Sequence, residues 1–171
     1  MKILELAKKI CYTINAKICM KRRNEKVDVI NLSNHVISEF EKKGSPITNL
    51  KLQKVLYYVQ GYFIREFGEE AFTDDIYCWQ YGPVVPSVYY EYSFNGACAL
   101  HSNENFKLNI DEVKEQLIAK IVEKCRHICS SALVNMTHSE SPWKNANPGC
   151  IIKKQEIRTF FTFNDPLEIR K

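Results

Sequence analysis

A chain of 171 residues, 45% hydrophobic and 26% charged, has the length of one domain and buries roughly two-thirds of its unfolded surface on folding. No apolar run approaches the roughly 18 residues of a membrane-spanning helix, so the reading is a cytoplasmic protein with no membrane segment. The net charge of +4 gathers only at Lys21-Arg22-Arg23, which argues against direct DNA binding, and seven cysteines without a repeated spacing read as reduced thiols.

In chain order, residues 1–20 place Ile3, Leu6, Ala7, Ile10, Ile14 and Ile18 at helical spacing, with Lys2, Lys8, Lys9 and Lys17 elsewhere. This is the pattern of an amphipathic helix, without the continuous apolar segment or cleavage site of a secretory leader. Residues 21–26, KRRNEK, read as a basic linker, so 1–26 stands apart from the rest of the chain. Asp28 is the expected N-cap of a helix through Lys43, with Ile30, Asn34, Ile37 and Phe40 on one face and Gly44 at its end.

Residues 48–68, TNLKLQKVLYYVQGYFIREFG, are the stretch around which the fold is predicted to be organised. Leu52, Val55, Leu56, Val59, Tyr62, Phe63 and Phe67 share one face; Gln53, Tyr57, Gln60 and Ile64 fill a neighbouring stripe. That leaves Lys51, Lys54, Arg65 and Glu66 for water. Thr48 is the expected N-cap and Gly68 the end. Gly61 costs about 1 kcal/mol relative to alanine in a helix, so its presence predicts another backbone packed closely there.

Residues 76–81 alternate as a short strand, Gly82-Pro83 reads as a turn, and Val84-Val85 as a second strand or an extended lead into the next helix. Pro86 suits the first turn of that helix, which ends near Asn95-Gly96. Asn109 and Glu112 form a predicted capping box for a helix through about His127, with Ile110, Val113, Leu117, Ile121 and Cys125 on its face. A short helix at 131–137, a loop from His138 to Trp143, a turn at Pro148-Gly149, a last helix at 153–161 and a tail at 162–171 complete the chain. The fold class is mainly α with a small β element (α+β), one compact domain around a central buried helix at about 48–68.

There is no P-loop, GxGxxG, HExxH, GxSxG or paired CxxC. No catalytic, cofactor-binding or metal-ligating residue is assigned, and the chain does not read as an enzyme. Cys125 and Cys129, with Cys98 and His101, come nearest to a zinc set, but Cys125 equally suits a small hydrophobe. His138, beside Glu140 and Trp143, reads as structural. A Cys/His metal-dependent enzyme stays as a third reading. Tyr57, Tyr58, Tyr62, Tyr77, Trp79, Tyr81, Tyr89, Tyr90 and Tyr92 suit burial and partner contact alike.

Three blocks together, LKLQKVLYYVQGYF (50–63), CWQYGPVVPSVYYEY (78–92) and LVNMTHSESPWKNA (133–146), resemble the Panacea domain, the SocA-like antitoxin family described as phage-associated. The resemblance covers 27–161. It implies a mostly helical domain with a small β element and an antitoxin that neutralises a cognate toxin, usually from an adjacent gene, by direct binding. The alternative is an adaptor or regulator that delivers phage or mobile-element proteins to a protease; a homo-oligomer is left open. The family pattern falls on Leu52, Gln53, Lys54, Gln60 and Gly61, on Trp79, Tyr81, Gly82, Pro83 and Pro86, and on His138, Pro142 and Trp143, as scaffold or partner-binding positions. It implies no cofactor.

Overall fold

The structure is a computed structural model that describes residues 27–103 and 105–170. The amphipathic helix expected over 1–20 and its linker lie outside the described residues. The fold is mainly α with one small antiparallel sheet.

Helix α1 (Val29–Lys42) starts where Asp28 accepts a hydrogen bond from the Asn31 N–H at 2.9 Å. Helix α2 (Asn49–Phe67) is capped by the Thr48 hydroxyl and closed by Gly68 at φ 71°, as the capping chemistry of both residues predicts. Every residue from Lys51 to Ile64 is buried. Around α2 pack α1, the sheet, α3 (Pro86–Glu91), α4 (Glu112–Arg126), α5 (Ser130–Ser139) and α7 (Lys154–Phe163). A helix enclosed this way has no solvent stripe, which corrects the expectation for Lys51 and Lys54. The Lys51 ammonium reaches the Arg126 carbonyl at 3.3 Å and lies over the Phe40 ring; Lys54 is wholly buried. The Arg65 side chain is also covered, held by Glu66 and Asp165, while Glu66 remains exposed.

Strands β1 (Tyr77–Trp79) and β2 (Gly82–Val84) pair Tyr77 with Val84, Cys78 with Pro83 and Trp79 with Gly82. The turn is therefore Gln80-Tyr81, and Gly82-Pro83 belongs to β2, a correction of the predicted turn. Gly82 has φ 102°, the left-handed residue that lets a short turn rejoin its strand. Pro83 is tolerated because β2 is an edge strand, and that edge is covered by α2 side chains. Beyond β1 a third extended segment docks, with Cys78 N–H donating to the Cys150 carbonyl at 2.8 Å and Ile152 N–H to the Ile76 carbonyl at 2.7 Å. A bridge joins Tyr77 to Ile151.

Helix α4 is capped by Asp111, not Asn109; its carboxylate accepts from Lys114 N–H at 3.0 Å. An aspartate there satisfies an open N–H and also favours the positive end of the helix dipole. Its core face carries Leu117, Ile118, Ile121, Val122 and Cys125, whereas Val113 is exposed. Helix α5 runs longer than predicted and takes in His138; α6 (Ser141–Lys144) follows at once with Pro142 in its first turn. Helix α7 extends two residues past its expected end. The segment after it folds back on α2: Leu167 is buried, and its N–H donates to the Tyr62 hydroxyl, which donates to Asp165 at 2.6 Å.

Gly61 does mark a close approach, but to a ring. A Cβ built there would stand 2.2 Å from Cε2 of Phe161, so the neighbour is a side chain on α7 and not the expected backbone.

Candidate functional site

The polar side chains inside α2 join it to the segments around the hairpin. Gln53 donates to the Asn49 side chain and accepts from Val85 N–H, both at 2.9 Å. Gln60 donates to the Phe72 carbonyl and accepts from the N–H groups of Ala71 and Phe72. Lys54 donates to the Pro83 carbonyl at 2.9 Å. Burial alone pulls the Lys54 ammonium down to about 7, because a neutral carbonyl only partly replaces the water a cation loses. Gly82 lies directly on this lysine: a Cβ there would stand 2.7 Å from Lys54 Cε and 2.8 Å from the Thr137 hydroxyl.

The other half of this platform comes from α5 and α6. The His138 and Trp143 rings stack at 3.8 Å between centroids and 15° between planes. The indole N–H of Trp143 donates to the Trp79 carbonyl at 3.1 Å, tying α6 to β1. Burial, then the Lys54 charge, lowers the His138 pKa, while the Gln80 carbonyl acts in the opposite direction. Its Nε2 is buried without a partner. Glu140, between α5 and α6, accepts from the hydroxyls of Tyr57 at 2.7 Å and Tyr58 at 2.9 Å. Burial pushes this carboxyl up to about 7, with the two hydroxyls opposing.

The structure thus gathers Gln53, Lys54, Trp79, Gly82, Pro83, His138 and Trp143 around the hairpin. Pro86 opens α3 beside them, Pro142 is buried in α6, and Tyr81 stands 61% exposed at the hairpin tip. Gln60 and Gly61 serve other contacts, with the 71–72 segment and α7.

Over the platform opens a cleft of about 1070 Å³, walled by Leu50, Trp79, Val84, Tyr89, Trp143 and Lys144 among others. The Tyr89 ring meets Trp79 edge-on at 5.0 Å, and Tyr90 packs against both. Near it Tyr90 is 65% exposed and Phe94 fully exposed. The nine rings singled out from the sequence therefore divide: Tyr57, Tyr58, Tyr62 and Tyr92 are buried, Tyr77 and Trp79 are half-buried, and Tyr81, Tyr89 and Tyr90 face outward. Leu50, Phe94 and Lys144 escape sequence reasoning. Leu50 stands in the first turn of α2 between Asn49 and Lys51, one turn before Gln53 and Lys54, and nothing local separates an exposed leucine from a buried one.

Of the zinc set, Cys125 is buried and its thiol pushed up to about 12, whereas Cys129 is exposed with its pKa lowered by the Ser131 hydroxyl and nearby N–H groups. Cys98 is exposed and His101 lies against Glu41. Among the described residues no three His, Cys, Asp or Glu side chains are grouped to hold a metal ion. No described helix is long and apolar enough to cross a membrane.

A family model described as "Antitoxin SocA-like, Panacea domain" matches residues 52–144. Antitoxin SocA of Caulobacter vibrioides (strain NA1000 / CB15N) is 28% identical over 132 residues, covering 70% of each chain. No solved structure matches the chain.

Proposed function

This chain belongs to the Antitoxin SocA-like, Panacea domain family, and on that premise we propose that it is an antitoxin that neutralises a cognate toxin by direct binding. The observation that carries the reading is the family match, whose residues 52–144 contain the hairpin, α3 and α6, elements that wall the aromatic cleft. Exposed tyrosine and tryptophan rings offer large contact area at low entropic cost, because each has only two side-chain torsions to fix. Their mounting on a hydrogen-bonded platform keeps them oriented before the partner arrives, which reduces the ordering cost of association. Neutralisation then consists of covering the toxin in the cytoplasm, with no bond made or broken by this chain.

Co-expression with the product of the adjacent gene tests the reading. The neighbour should arrest growth alone, grow normally with this protein, and co-purify with it. A harmless neighbour, or a toxic one neither bound nor rescued, overturns the proposal. The lifetime of the bound neighbour should be unchanged; a shortened lifetime would move the assignment to the adaptor reading.

A further inference from the structure

Several neutral polar groups of the cleft are already engaged within the chain. Asn49 donates to the Tyr89 carbonyl and accepts from Gln53, Gln53 also holds Val85, Ser93 donates to the Tyr90 carbonyl, and the Trp143 indole N–H is on Trp79. What remains for an incoming group is ring surface, the aliphatic side chains of Leu50 and Val84, the Gln80 amide and the Tyr81 and Tyr89 hydroxyls at the rim, and one charge. That charge is Lys144, the ionisable cation in the lining. It is exposed, and among the described residues no carboxylate pairs with it. A cationic partner group would be repelled there, and a wholly apolar one would leave the ammonium facing a dehydrated interface. At about 1070 Å³ the cleft has room for several side chains, at the upper end of the roughly 300–1,000 Å³ of small-ligand pockets.

We propose that the occupant of this cleft is a segment of the toxin that carries a large apolar side chain beside a carboxylate. The apolar group packs on the Trp79 and Tyr89 rings, and the carboxylate faces Lys144. This rests on the antitoxin reading and assigns it a contact surface. The aromatic rings supply burial, and the ion pair supplies register and selectivity, the usual division between anchors and charges in an interface.

The test uses the full chain and a phage-displayed library of random dodecapeptides. Enriched peptides should carry Asp or Glu within two positions of Trp, Phe, Leu or Ile, and a fluorescein-labelled member should bind the wild type saturably. Lys144→Glu should weaken it about tenfold or more, and the same peptide with lysine in place of its acid should prefer Lys144→Glu to wild type. Tyr89→Ala should weaken binding about as much, with an unchanged far-UV spectrum showing that the fold persists. No enrichment, enrichment without an acid, or indifference to residue 144 overturns the proposal. Growth rescue by the wild type is scored separately, so a failed cleft with intact rescue removes the surface and leaves the antitoxin reading standing.

Discussion

The Phe161 ring occupies the space that any side chain on Gly61 would need, with Cε2 at 2.2 Å from the missing Cβ. Phe161 cannot easily give way. It is fully buried, with Tyr57, Tyr58 and Tyr62 edge-on to it at centroid distances of 5.6, 6.3 and 5.2 Å. Gly61→Ala gains about 1 kcal/mol of helix propensity, but over-packing costs about 1–3 kcal/mol in a core of ordinary density and more where the ring is held. The clash wins, and Gly61→Ala should lower unfolding stability by about 2 kcal/mol in urea titrations. With Phe161→Leu in the same chain, the loss should be smaller than the sum of the single losses. An unaltered or raised midpoint for Gly61→Ala would show that α7 is free to move away.

Gly82 meets a different limit. It holds φ 102°, and its absent Cβ would contact both Lys54 and Thr137. Gly96 also has positive φ, 56°, yet a Cβ there meets nothing within 4 Å. The two positions separate strain from contact. Gly96→Ala should cost about 1 kcal/mol from backbone strain alone, and Gly82→Ala at least about 3 kcal/mol because the hairpin must lift off Lys54. Equal losses in thermal or urea unfolding would mean that Lys54 and Thr137 yield without cost.

Local chemistry made the caps readable: Asp28, Thr48 and Gly68 each act within one turn of helix, so neighbours in sequence suffice to identify them. The platform residues of the three family blocks were readable for another reason, as their joint pattern belongs to a family. What escaped depends on distant contacts. Periodicity assigns Lys51 and Lys54 to a stripe apart from Leu52, but not the number of elements that surround α2, and six of them leave no stripe for water. Gly82-Pro83 carries turn composition, yet the glycine is needed just after the turn, where β2 begins. Leu50 and Lys144 wall one cleft only after segments some 95 residues apart in the chain are brought together, and no local signal marks them.

Glu140 makes folding pH-dependent on the acidic side of neutrality. Its folded pKa of about 7 lies above the 4.5 of a free glutamate, so the folded state binds the proton more tightly. That contribution is fully present below about pH 4.5 and is lost as pH rises through about 7. Glu140→Gln keeps an acceptor for the tyrosine hydroxyls and does not titrate. Relative to this variant, the wild type should lose about 3 kcal/mol of stability between pH 4.5 and 7.5. Urea unfolding of both proteins at the two pH values gives the comparison, and a constant difference would mean that the carboxyl titrates as it does in water.

Lys54 acts on the alkaline side, with the opposite sign. Its folded pKa of about 7 lies below the 10.5 of a free lysine, so the unfolded chain binds the proton more tightly. Its contribution is present above about pH 10.5 and is lost as pH falls through about 7. Between pH 7 and 9.5 the wild type should therefore gain about 3 kcal/mol relative to Lys54→Met, which fills similar volume without titrating. The Met variant leaves the Pro83 carbonyl without its donor, an offset of about 1–3 kcal/mol that does not vary with pH, so the slope separates the charge from the hydrogen bond. Parallel stability curves for the two proteins would show that the Lys54 ammonium keeps its solution pKa and that water reaches it beneath the hairpin.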